Sequence, residues 1–262
     1  MPQAEPISRP PRPLAATAQR RRPAAPVHYP VEDGQPMSET FKHGKVATDA
    51  RMVLDLHHID RADACVGANH FLYYEEGNPE AVVSPDVFVA YGVPKETDRE
   101  VWKLWVEGKA PDFILEVTSK STRKHDERKK KAIYERIGVT EYWQFDPTGD
   151  YLDPILKGRA LADGRYRELE LERRDGGLCR CSEVLGLDLR LEGGRLRFFD
   201  PKRGEYLLTP EEQRQVIGAK DRALEDQRHA LRERDRTVDR QRRALEAAEA
   251  RIRELERRRR EG

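Results

Sequence analysis

Three apolar runs, each closed by proline, glycine or a change to charge, set the strongest limit on how this chain can fold. They are VGANHFLYY (66–74), VVSPDVFVAYGV (82–93) and APDFILEVTS (110–119). Each is short, rich in β-branched and aromatic residues and bounded by turn signals, the pattern of β-strands. A fourth run, EYWQFD (141–146), ends at Pro147-Thr148-Gly149. Between the third and fourth lies STRKHDERKKKAIYERIGV, which opens on Ser and Thr, turns charged and stops at Gly138, the start and stop signals of a helix. An earlier helix is expected from Ser38, a suitable N-cap. At 100° per residue it places Glu39, His43, Val46, Ala50, Val53, Leu54 and His57 on one face, so two polar side chains at its start point inward. The order is helix, three strands, helix, strand: an α/β core.

The rest divides around this core. Residues 1–36 are rich in Pro, Ala and Arg and cannot bury enough apolar surface to order themselves, so a disordered basic tail is expected there. Residues 37–209 form the main domain. Its stretch 94–109, with Trp102 and Trp105, is long for a connector and is expected to be a flap or a short helix beside the site. Residues 150–209 alternate short strands with glycine turns, expected as antiparallel hairpins on the edge of the main sheet. In 210–262, Ile217, Leu224, Leu231, Val238, Leu245 and Ile252 recur every seven residues. Three residues on from each stand Lys220, Gln227, Arg234, Gln241, Ala248 and Leu255, a mostly polar second seam. The expectation is a weak coiled coil, tighter toward its C-terminal end, that joins two copies into a homodimer. A lone helix laced by i,i+4 charge pairs is the competing reading.

Charge is unevenly spread. The net value is +1, with +4 in residues 1–30 and +3 in 210–262, which leaves about −6 for the middle. Such a domain does not cling to nucleic acid by bulk charge, so phosphate contacts must come from a local patch. The dense basic stretch of the middle is Lys120–Lys131, with seven basic residues against two acidic. Three cysteines, Cys65, Cys179 and Cys181, form no disulfide framework, and the last two are too close for a zinc knuckle, which suits thiols in a reducing cytoplasm. No apolar run is long enough to span a membrane, and the N-terminus lacks the apolar stretch of a secretory signal. A phosphate-cradling glycine loop with Lys-Ser/Thr and a two-histidine zinc spacing are both missing.

Two acids lie inside apolar strands. Asp86 follows Pro85 in the second, and Glu116 sits in the third. Neighbouring strands are about 4.8 Å apart, so carboxylates on adjacent strands can share a divalent cation, and hard oxygen ligands suit Mg2+ or Mn2+. Such an ion polarises a phosphodiester and lowers the pKa of a bound water. Asp112 shares the face of Glu116 but lies roughly 13 Å along the strand, so it is read as a strand-start residue or a supporting one. On the following helix, Asp126, Lys130, Ile133, Tyr134 and Ile137 form one stripe, with Lys129 and Lys131 about 100° to either side. Of three consecutive lysines, Lys130 alone faces the apolar side, where an ammonium needs a partner. By itself this does not separate a site lysine from one that pairs with Asp126 on a solvated helix.

The residues VVSPDVFVAYGVP and APDFILEVTSKSTRKHDERKKKAIYERIGVTEYWQFDP resemble the core of the Uma-two family, part of the PD-(D/E)XK nuclease superfamily. The likeness runs from about Met37 to about Pro210. It is most specific over 83–147: an acid after proline, Glu-Val-x-Ser, Asp-x-x-x-Lys-x-x-x-Tyr and Gly-Val-x-Glu-Tyr-Trp. The resemblance implies a restriction-endonuclease-like fold, a central mixed sheet flanked by helices in αβββαβ order, to which the hairpins and the coiled-coil helix are added. It implies that Asp86 and Glu116 bind the metal, with Glu39 and His43 as further ligands or water-orienting groups. The lysine that usually follows the second acid by two places is replaced by Thr118, and Lys130 fits the family's lysine on the next helix. Lys120, four residues after Glu116, is its rival. Tyr134 matches the family tyrosine. The implied activity is Mg2+-dependent cleavage of DNA, the phosphate backbone being held by the 120–131 patch. The alternative is a catalytically inactive nuclease fold acting through its basic tail and coiled coil.

Overall fold

The computed structural model describes residues 27–31, 41–119, 125–174 and 177–261, with backbone alone for 125 and 126. The expected tail, apart from 27–31, and the proposed cap Ser38 lie outside the described residues. Helix α1 (Phe41–His57) is followed by β1 (Ala64–Gly67), β2 (Leu72–Tyr73), β3 (Val82–Val83), β4 (Val87–Tyr91), β5 (Trp102–Lys103), the short α2 (Leu104–Glu107) and β6 (Phe113–Val117). A π-helical turn, His125–Lys130, runs into α3 (Lys131–Ile137), and β7 (Glu141–Phe145) follows. Then come β8 (Leu156–Ala162), β9 (Arg165–Leu169), β10 (Glu172–Arg174), β11 (Gly177–Ser182), β12 (Leu187–Glu192), β13 (Arg195–Asp200), β14 (Glu205–Tyr206) and α4 (Pro210–Glu261).

The central sheet has six strands in the order β1-β4-β6-β7-β8-β9. Only β6 and β7 run parallel, joined by the crossover through α3; the other pairs are antiparallel, so the sheet is mixed. Alternate side chains go to opposite faces. Val87, Val89, Phe113, Leu115, Val117, Trp143 and Phe145 pack with Ala47, Ala50, Val53 and Leu54 of α1. Phe88, Ile114 and Tyr142 point the other way, against Ile133 and Tyr134 of α3 and against Leu72, Val83 and Trp102. With both faces covered, all five residues of β6 and of β7 are buried, and the sequence reads as continuous apolar runs rather than an alternation.

Several expectations change in detail. The run 66–74 breaks into β1 and β2 at Asn69, whose φ of 55° no strand can carry. The run 82–93 divides at Ser84-Pro85, because proline offers no ladder donor. Segment 94–109 contains β5 and α2, and it is no flap: Trp102 is a core residue whose indole N–H donates to the Lys109 carbonyl at 3.0 Å. At the end of α1, His58 rather than His57 turns inward, because the helix stops and the next turn rotates the chain. Its Nδ1 donates to the Leu54 carbonyl (2.8 Å), and the Tyr91 hydroxyl donates to its Nε2 (2.7 Å).

The hairpin region also differs from expectation. Only β8 and β9 extend the main sheet. Strands β10–β14 form a separate five-stranded antiparallel sheet. Its Leu187, Leu189, Leu191 and Phe198 join the core on the α1 side, so it is a further layer and not an edge. Glu141 ties the two sheets. Its buried carboxylate accepts from the Trp143 indole (2.9 Å), the Ser182 hydroxyl (2.5 Å) and the Val184 amide (3.2 Å). The Glu-Tyr-Trp motif is therefore a structural knot. Helix α4 opens with a reciprocal cap: Glu212 N–H donates to Thr209 Oγ1, and Thr209 N–H donates to the Glu212 carboxylate, with Pro210 as the first helical residue. Arg197 holds the same carboxylate through two bonds of 2.9 and 3.1 Å. Beyond this anchor the heptad residues Ile217 to Ile252 are exposed.

Glu141→Ala removes the acceptor of three donors, two of them in buried bonds. It should destabilise the protein by at least about 3 kcal/mol, read as a lowered urea midpoint.

Candidate active site

In the β4–β6 ladder Val87 pairs with Leu115. Continuing that register by one step would set Asp86 opposite Glu116, where Cα atoms are about 4.5–5.5 Å apart, and the bond from Val117 N–H to the Asp86 carboxylate holds Asp86 at this end of β6. The two acids are thus brought together by adjacent strands, one at the entrance to β4 and one inside β6. Their settings differ. Glu116 is 1% exposed, whereas Asp86 is 9% exposed.

Glu116 is held from the helical side. The Tyr134 hydroxyl donates to Oε1 at 2.6 Å, and the Lys130 ammonium donates to Oε2 at 2.8 Å. The same ammonium donates to the Ser84 carbonyl at 2.9 Å, so it bridges the two strands that carry the acids. Lys130 and Tyr134 are one turn apart, which puts them on the same stripe. The π-helical turn that ends at Lys130 is a geometry that recurs at functional sites. Burial drives the Tyr134 hydroxyl well above the usual phenol range, and the neighbouring Glu116 carboxylate adds to the shift, so this group donates a proton and keeps it.

Asp86 is held from the other side. Its Oδ2 accepts the Val117 backbone N–H at 2.6 Å, and Nε2 of buried His43 lies 3.5 Å from the same oxygen. Burial works to raise its pKa, but the His43 interaction, the Lys130 charge and the Val117 N–H outweigh it, and the net shift is downward. Asp86 is therefore a carboxylate under ordinary conditions. Among the described residues, both contacts end on Oδ2.

Of the other residues singled out in the sequence, Glu39 and Lys120 lie outside the described residues, as does the side chain of Asp126. Asp112 does not join the site. At the far end of β6 its carboxylate accepts the Tyr91 N–H at 2.7 Å and the Lys109 ammonium at 2.6 Å, a structural clasp. Two groups were not anticipated. The Ser84 carbonyl is a backbone atom, invisible to side-chain reasoning. Gln144 pairs in register with Glu116 on the neighbouring strand and is fully buried. Its signal was an amide between the aromatic residues Trp143 and Phe145.

Among the described residues, no group of three or more His, Cys, Asp or Glu side chains is placed to hold a metal ion. The pair of opposed carboxylates is nonetheless a hard-oxygen donor set, and magnesium is commonly held by one or two carboxylates with the substrate supplying the rest. The residues fit that ion. A groove of about 500 Å³ lies elsewhere, between α1, β13 and the start of α4, lined in part by Val46, Phe198 and Leu207; it contains none of these groups.

Two measurements test this geometry. Lys130→Met leaves a buried carboxylate without its cation and should cost about 3–5 kcal/mol; adding Glu116→Gln should recover most of that loss in a double-mutant cycle. The lowered pKa of Asp86 means that its stabilising contribution is full above the unfolded carboxylate range and disappears as the pH falls through the folded value. The gap in urea midpoint between the wild type and Asp86→Asn should therefore close in acid, below about pH 4.

Comparison with known proteins places the chain. No curated protein matches the sequence. A solved structure from Anabaena variabilis ATCC 29413, described as a putative nuclease belonging to DUF820, matches with 14% identity and a TM-score of 0.40, over 52% of this chain and 73% of that one. A likeness at that level carries no weight in the assignment. The model of a family described as "Uma2: Putative restriction endonuclease" matches residues 20–192, about two thirds of the sequence and all of the site. The chain belongs to the Uma2 family.

Proposed function

We propose that this protein is a divalent-metal-dependent endonuclease that hydrolyses phosphodiester bonds in DNA, with Asp86 and Glu116 as the metal-holding pair. The observation that carries the reading is the buried Glu116, gripped by Lys130 and Tyr134, with Asp86 bonded to the N–H of the next residue, Val117. A Mg2+ or Mn2+ ion held by that pair would supply Lewis-acid polarisation of the phosphate. The chain's own groups supply the rest. Lys130 sets a positive charge beside the reacting phosphate. Tyr134 fixes the Glu116 carboxylate by its hydrogen bond. His43 and the Val117 N–H fix Asp86, and His43 or Glu39 could add a ligand. Lys120 is the alternative source of the ammonium. In the hydrolysis a water oxygen bonds to phosphorus, the bond from phosphorus to the leaving oxygen breaks, the water loses a proton and the leaving oxygen gains one.

Binding and assembly follow the same reading. Arg128 and Lys129 are exposed on the turn that carries Lys130, where they suit backbone phosphates. The exposed heptad stripe of α4 suits pairing with a second copy, and two copies offer one site for each strand of a duplex. No helix among the described residues is long and apolar enough to cross a membrane, and the three cysteines are free thiols, in keeping with a cytoplasmic protein.

The test is cleavage of plasmid DNA by the purified full chain with Mg2+ or Mn2+. Asp86→Ala and Glu116→Ala should each cut at least about 100-fold more slowly while circular dichroism shows the fold intact, and chelation should stop the wild type. Unchanged cutting by both variants would refute the assignment. A wild-type chain that cuts nothing would favour the interaction-protein alternative.

A further inference from the structure

Among the described residues, two buried polar atoms beside Glu116 have no hydrogen-bond partner: Oγ1 of Thr118 and Nε2 of Gln144. Thr118 lies two residues beyond Glu116, and in extended chain residues i and i+2 share a face. Gln144 is the register partner of Glu116 on β7. Both therefore flank the Glu116 carboxylate, one along its strand and one across from it. Neither is accessible to solvent: Thr118 is 1% exposed and Gln144 0%.

The Gln144 amide is fixed in orientation. Its Oε1 accepts from Arg159 Nη1 at 2.6 Å, and Arg159 belongs to β8, on the side of β7 away from Glu116. With the oxygen drawn toward β8, the N–H2 end is left for the β6 side. An unsatisfied buried donor or acceptor costs about 1–3 kcal/mol. Valine in place of Thr118 would avoid that cost with almost the same shape. Two such atoms at one corner mark a place for a small polar guest. Their burial limits it to about the size of a water, which needs two to four polar partners.

We propose that Thr118 and Gln144 seat the water that attacks the phosphodiester. The amide N–H2 of Gln144 donates to the water oxygen. The Thr118 hydroxyl, free to rotate, accepts from the water or donates to it, and the water is held beside Glu116. This rests on the nuclease reading, and both residues are positioning groups.

The experiment compares the full-length wild type with Thr118→Val, Thr118→Ser and Gln144→Glu, measuring thermal midpoint, KM for DNA and kcat with Mg2+. Asp86→Ala serves as the control for the site. Thr118→Val should be as stable as the wild type or more so, with KM unchanged and kcat lowered about 100-fold, the scale of a misplaced reacting group. Thr118→Ser, which keeps the hydroxyl, should restore most of the rate. Gln144→Glu keeps the acceptor for Arg159 and loses the donor, so it should fold normally and also cut slowly. Wild-type kcat in Thr118→Val or in Gln144→Glu, with Asp86→Ala inactive, would overturn the water seat and leave the nuclease reading standing. A Thr118→Val protein that loses stability would overturn it as well, because the hydroxyl would then be structural. A wild type that does not cut would remove the nuclease reading and this one together.

Discussion

A carboxylate inside a sheet is expensive to ionise, and the structure around Glu116 follows from how that expense is met. The group is almost wholly buried, on the face where β6 packs against α3. An isolated charge there would be several kcal/mol unfavourable. It is tolerable because one helical turn presents both an ammonium and a phenol to it, Lys130 and Tyr134, four residues apart. Those two bonds also fix the rotation of the helix on the sheet, and with it the face that buries Ile133. The polar contact and the apolar packing thus specify the same arrangement.

Asp86 joins this centre to the opposite layer. It stands at the mouth of β4, where the strand has just emerged from Pro85, and His43 of α1 reaches it. Helix α1 otherwise packs on the far face, with Val87, Leu115 and Val117. The two core clusters therefore meet at the acid pair. A change in either layer is felt at the same atoms, through His43 on one side and Lys130 on the other.

Much of this could be read from the chain, and the rest could not, for definite reasons. Strand identity in 110–119 and 141–146 is visible because their short, mainly apolar and aromatic runs are bounded by turn signals. The shared stripe of Lys130 and Tyr134 is visible because helical spacing fixes it. The distance of Asp112 from Glu116 follows from the rise of a strand. Cross-strand register is a different matter. Nothing in EYWQF says that Gln144 lies beside Glu116, and no side chain announces the Ser84 carbonyl. The strands between Glu172 and Tyr206 look the same in sequence whether they extend one sheet or build another. The outcome is settled by leucines in β12 that pack on the α1 side of the core. Asn69 broke an apparently continuous run by adopting a left-handed conformation, which a pattern of hydrophobicity does not register.

Helix α4 has a mechanical consequence. Its 52 residues extend about 78 Å, yet among the described residues it is fastened to the body at its N-terminal end, through Thr209, Glu212 and Arg197 and alongside α1. An element fastened at one end shares little of its folding free energy with the body that bears it. The arm and the globular part should therefore melt as separate cooperative units. Under the pairing proposed above, the arm's order would depend on how much protein is present, while the site around Glu116 would keep its own threshold.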